Sequence, residues 1–125
     1  MALTIPDEER DLCTRLAKPG YAALGLTNDL YSWEKERVDA KKAGQGYVFN
    51  AIWVIMNESS TTEEEAKTIC REEIKKYISQ YCHTVEEIRD DTSLSKDLRT
   101  YLEAIILSYA GNLVWSIYCP RYKVV

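Results

Sequence analysis

Between Ala66 and Ile88 the apolar residues Ala66, Ile69, Cys70, Ile74, Tyr77, Ile78, Tyr81, Val85 and Ile88 recur three and four positions apart. That spacing draws one continuous stripe on an α-helix and cannot lie on one face of a strand. The stripe predicts a long amphipathic helix over 62–89. Its start carries a capping-box signal, Ser59-Ser60-Thr61-Thr62 followed by Glu64 and Glu65.

The rest of the chain divides in the same manner, with proline and glycine as punctuation. Pro6 followed by Asp7, Glu8 and Glu9 reads as a helix start over 7–17, the acidic residues complementing the positive end of the helix dipole. Lys18-Pro19-Gly20 predicts a break. A second helix then runs over 21–43 until Gly44-Gln45-Gly46 ends it. Tyr47 to Met56 is apolar almost all round and predicts a short helix over 47–57, buried on most sides, with Phe49 and Trp53 as packing residues. After an Asp90 to Ser95 turn, the last helix spans 95–118 and is stopped by Pro120. No strand-like alternation and no internal repeat occurs. The expected fold is all-α, an antiparallel helical bundle over residues 1–125 with one incomplete side and an exposed apolar groove bordered by the 21–43 and 95–118 helices.

With 46% hydrophobic and 29% charged residues, 125 residues can bury a modest core. The net charge of −4 gives no electrostatic footprint for nucleic acid. Part of that charge lies in Glu63 to Glu65 and Glu72-Glu73, expected to face solvent. Acidic residues occupy the N-terminus where a signal peptide needs an apolar stretch, and no apolar run is long enough to span a bilayer. A cytoplasmic location is expected. Cys13, Cys70, Cys82 and Cys119 form no Cys-x-x-Cys pair, so four reduced, mostly packed thiols are expected.

The chemistry concentrates in Asn28-Asp29-Leu30-Tyr31-Ser32-Trp33-Glu34-Lys35-Glu36. Positions 28, 32 and 36 are four apart, so an amide oxygen, a hydroxyl and a carboxylate share one narrow stripe of the helix. One carboxylate and two neutral oxygens leave an octahedral Mg²⁺ with open positions and residual positive charge, suited to completion by diphosphate and water. Average residue usage produces this pattern by chance in roughly one chain of this length in a thousand. A second signal is Arg121-Tyr122 just after Pro120, where a guanidinium fork and a phenol can both donate to phosphate oxygens.

These two motifs resemble those of class I terpene synthases. Asn28, Ser32 and Glu36 match that family's second metal motif, Lys35 its diphosphate-contacting Lys, and Arg121-Tyr122 its C-terminal Arg-Tyr pair. The wording from Leu26 to Glu36 and the ending Cys119-Pro120-Arg121-Tyr122 look most like the cyclase domain of fungal bifunctional terpene synthases. The resemblance implies the C-terminal part of a cyclase domain that ionises and cyclises a prenyl diphosphate, C20 or C25 in length, with Mg²⁺ as cofactor. It further implies Trp115 as a pocket aromatic whose π-face meets the carbocation.

Two family features are missing. No Asp-Asp-x-x-Asp/Glu segment occurs, since Asp90-Asp91 is followed by Thr92-Ser93-Leu94 and reads as a turn. Arg10 and Arg15 lie too close to Asn28 to serve as the family's diphosphate-sensing Arg. Three readings follow: a cyclase fragment inactive alone, a non-catalytic helical interaction module or truncated gene product, and a half-enzyme completed by its N-terminal half on a separate chain.

Overall fold

The computed structural model describes residues 2–122. Four α-helices carry the fold: α1 (Arg10–Lys42), α2 (Ala51–Ser59), α3 (Glu63–Ile88) and α4 (Lys96–Tyr118). Short 3₁₀ turns at Asp7–Glu9 and Pro120–Tyr122 flank them, and no strand occurs among the described residues. The all-α expectation holds. None of these helices is long and apolar enough to cross a membrane.

Local chemistry sets the helix ends. Thr62 and Glu65 form the expected capping box at the start of α3, each side chain bonding the other's backbone N–H. Ser95 caps α4 by accepting from the Leu98 amide, while its own amide and hydroxyl donate to the Glu9 carboxylate. Asp91 accepts from both the amide and the hydroxyl of Ser93, which makes the expected Asp90 to Ser95 turn.

The largest departure from the sequence reading is α1, a single helix of 33 residues with Pro19 inside it. Proline removes one backbone donor and normally breaks a helix. Here Cys13 and Ala17, before Pro19, pack in the same cluster of α3 and α4 side chains that Gly20, after it, touches: Tyr81, Val85, Leu98, Leu102 and Ile105. Tertiary packing thus holds both segments on one axis. Gly20 matters for closeness, since a Cβ there would lie 2.9 Å from Ile105 Cγ2 and 3.2 Å from the Tyr81 ring.

At 1.5 Å per residue α1 is about 50 Å long, long enough to serve two cores. The first is the cluster just named. The second joins Trp33, Ile52, Ala66 and Cys70 from α1, α2 and α3. Because the end of α3 meets the start of α1, and Ala66 and Cys70 meet Trp33, these two helices run antiparallel. α4 turns back again. It runs in the same sense as α1, with Glu9 at Ser95, Thr27 at Tyr109 and Asn28 at Tyr122.

Two further expectations are corrected. Residues 47–50 are not helical; α2 begins at Ala51 because Asn50 caps it, accepting from the Ile52 amide at 2.8 Å. α2 is also less buried than expected: Phe49 before it is 93% exposed and within it only Ile52 is buried, although Trp53 does pack on the second core. Glu63, placed with the solvated carboxylates, instead accepts from Trp33 Nε1 at 2.7 Å.

The four cysteines are free thiols and three are buried. Burial pushes the Cys70 thiol up to about 11, and its Sγ donates weakly to the Leu26 carbonyl. The expected groove is a shallow depression of about 200 Å³, edged by Thr27, Leu30 and Tyr31 of α1 and Tyr109 and Leu113 of α4. α3 supplies Arg71 and Lys75 to it. Beside it, α4 exposes Leu107, Val114 and Tyr118 on one helical face.

Candidate functional site

The stripe on α1 lies in the second half of the helix, well inside its ends. Trp33, 2% exposed in the second core, fixes the helix rotation. Ser32 is itself buried, at 2% exposure, between the partly open Asn28 and Glu36. Its hydroxyl donates to Glu36 Oε1 at 2.7 Å. Asn28 Oδ1 accepts from the Tyr122 hydroxyl at 2.6 Å, joining residues 94 positions apart.

The turn that follows α4 therefore meets the stripe. Cys119 is buried as α4 stops, and the 3₁₀ turn Pro120–Tyr122 packs against α1. Trp115 stands edge-on to the Tyr122 ring, with centroids 5.4 Å apart and planes at 83°. The Trp115 side chain is half exposed. Arg121 is exposed on the same turn. Lys35 points its ammonium at Asp39, an i,i+4 ion pair at 2.5 Å, and that hydrogen bond holds the Asp39 carboxyl below its ordinary range.

Two residues without a role in the sequence reading complete the site. Asp29 Oδ2 accepts from the Ala51 amide at 2.9 Å. Burial raises the Asp29 pKa, the Ala51 bond opposes this, and the nearby Glu36 charge adds to the rise. Asn50, 4% exposed, donates through Nδ2 to the Asp29 carbonyl at 2.8 Å and to Glu36 Oε2 at 2.9 Å. The signal that announces Asn50 is its polar side chain just ahead of an apolar helical run, the usual mark of an N-cap.

Among the described residues no group of three or more His, Cys, Asp or Glu side chains is placed to hold a metal. A metal here needs the mixed set of Asn28, Ser32 and Glu36, all hard oxygen donors. Their bonding leaves room for one. An amide oxygen has two lone pairs, of which the Tyr122 bond uses one, and a hydroxyl that donates to Glu36 keeps its own lone pairs. The separation of 2.7 Å between Ser32 Oγ and Glu36 Oε1 is close to the edge of an Mg²⁺ octahedron, about 2.9 Å for metal–oxygen bonds near 2.1 Å. The donor set fits.

Comparison with known proteins decides the family. A family model described as terpene synthase family 2, C-terminal metal binding, matches residues 1–80. The chain belongs to this terpene synthase family. The matched region holds Asn28, Ser32, Glu36 and Asn50, whereas Trp115, Arg121 and Tyr122 lie beyond it. Fusicoccadiene synthase of Phomopsis amygdali is 46% identical over 123 residues, 98% of this chain and 17% of that protein. A bifunctional type I diterpene synthase of Aspergillus flavipes is 48% identical over 122 residues, 98% of this chain and 16% of the relative. A bifunctional sesterterpene synthase of Aspergillus aculeatus is 44% identical over 121 residues, 97% of this chain and 17% of the relative. This terpene synthase chain thus spans about a sixth of the length of the curated relatives it matches.

Proposed function

We propose that the chain is the C-terminal part of a class I terpene cyclase domain, in which Asn28, Ser32 and Glu36 hold one Mg²⁺ of a prenyl diphosphate complex. What supports this reading is the hydrogen bond that brings Ser32 Oγ to Glu36 Oε1, one turn along the same helix face from Asn28, whose Oδ1 accepts from Tyr122. When bound, Mg²⁺ neutralises the charge that builds on departing diphosphate, so it favours the transition state over the ground state.

The chain's own groups do the rest. Arg121 donates to diphosphate oxygens at the mouth of the stripe, and Tyr122 does so by turning its single O–H away from Asn28 Oδ1. Lys35 does so by exchanging its exposed Asp39 partner, since solvent screens a surface ion pair and leaves it weak. Trp115 offers a half-exposed aromatic surface beside Tyr122 to a carbocation. The names of the diterpene and sesterterpene synthase relatives support a C20 or C25 substrate. The N-terminal half of the domain, in cis or in trans, is the partner that would cover the apolar face of α4 at Leu107, Val114 and Tyr118.

Equilibrium dialysis of the chain against Mn²⁺ with inorganic diphosphate tests the metal assignment. The wild-type chain should retain close to one Mn²⁺, and Glu36→Ala should retain at least tenfold less. Equal retention by the two would remove the stripe from the reading.

A further inference from the structure

We infer that Asn50 is a positioning residue for Glu36, selecting which carboxylate oxygen faces the metal. This rests on the metal reading above and extends it to a residue outside the ligand set. Glu36 has two equivalent oxygens on a flexible side chain, and a one-metal site needs one of them aimed at Ser32 and Asn28. Asn50 breaks that equivalence. Its Nδ2 donates to Oε2 at 2.9 Å, leaving Oε1 as the oxygen 2.7 Å from Ser32 Oγ.

Asn50 is itself held rigidly. It is 4% exposed, and its second Nδ2 hydrogen goes to the Asp29 carbonyl at 2.8 Å. Its Oδ1 is bound by the Ile52 amide at the N-terminus of α2. The Ala51 amide bonds Asp29 Oδ2, so the first turn of α2 grips α1 between two of the proposed ligands. An outer-shell donor that orients a ligating group is a common way to tune a metal site. An amide suits the task because one side chain supplies both the acceptor for the cap and the donors for Glu36 and Asp29.

The cap and the positioning role can be separated. Serine caps a helix about as well as asparagine but cannot reach Glu36 with an N–H donor. Asn50→Ser should therefore keep its helical circular dichroism, yet retain Mn²⁺ at least tenfold less tightly in the diphosphate dialysis. A spectroscopic readout on the wild-type chain accompanies it. The Asn50 side-chain amide signals in ¹⁵N NMR should shift when Mg²⁺ and inorganic diphosphate are added, and should not shift in Glu36→Ala. Unchanged Mn²⁺ retention in Asn50→Ser, or Asn50 amide signals that ignore Mg²⁺ and diphosphate, would overturn the inference while Glu36→Ala still loses the metal. Wild-type retention by Glu36→Ala would instead overturn the metal reading, and this inference with it.

Discussion

Incubated with C15, C20 and C25 prenyl diphosphates and Mg²⁺, these 125 residues alone should yield no cyclic hydrocarbon. The reason is electrostatic. The stripe provides one carboxylate and two neutral oxygens, whereas the family resemblance calls for an aspartate-rich metal segment and a sensing Arg as well. Each lost preorganised donor costs about 3–4 kcal/mol of barrier, so losing two lowers the rate by roughly five orders of magnitude. The site is open too: Trp115 and Tyr118 face solvent, where water would quench a carbocation. Joined to the upstream half of a relative's cyclase domain, the same residues should cyclise substrate, and Asn28→Ala should abolish that product. Gas chromatography of both incubations checks this. Cyclic product from the isolated chain, lost in Asn28→Ala, would show the 125 residues to be a complete active site.

Trp33→Ala should unfold the half of the molecule that holds the stripe. Trp33 is 2% exposed among Ile52, Ala66 and Cys70, and its removal leaves a cavity between α1, α2 and α3. Truncating a buried Trp costs about 3–5 kcal/mol, a large part of the 5–15 kcal/mol that holds a domain together. Trp33→Phe keeps an aromatic ring there, losing the Nε1 bond to Glu63, which Arg37 and Lys67 also approach, and part of the ring volume. Its cost should be smaller, about 1–3 kcal/mol. Urea unfolding followed by circular dichroism separates the two variants. A loss below about 1 kcal/mol for Trp33→Ala would mean that this core does not set the orientation of the stripe.

Where the sequence was legible, the determinant was local. The apolar period from Ala66 to Ile88 and the Thr62–Glu65 box placed α3 within a residue at each end, because both are properties of neighbouring turns. The spacing of Asn28, Ser32 and Glu36 was legible for the same reason. Where it misled, a distant contact decided. Pro19 signals a break, yet Tyr81 and Ile105, more than sixty positions away, close on Gly20 and keep α1 continuous. The apolar run from Tyr47 drew the start of α2 four residues too early; a cap at Asn50 can be read from its place ahead of Ala51, but its partners Asp29 and Glu36 lie on another helix and cannot. Phe49 shows the converse: an aromatic in an apolar run implies burial, but none of the described residues covers it and it is left exposed. The Tyr122 bond to Asn28 depends on how α4 folds back along α1, and no local pattern encodes it.

The central claim is that one helix face of this terpene synthase chain holds a metal with diphosphate. Anomalous X-ray scattering from crystals soaked in Mn²⁺ and inorganic diphosphate tests it most directly. The account predicts a Mn²⁺ peak bounded by Asn28 Oδ1, Ser32 Oγ and Glu36 Oε1, with Glu36 Oε2 still turned to Asn50. A Mn²⁺ peak at the Glu63 to Glu65 carboxylates and none at the stripe would contradict it.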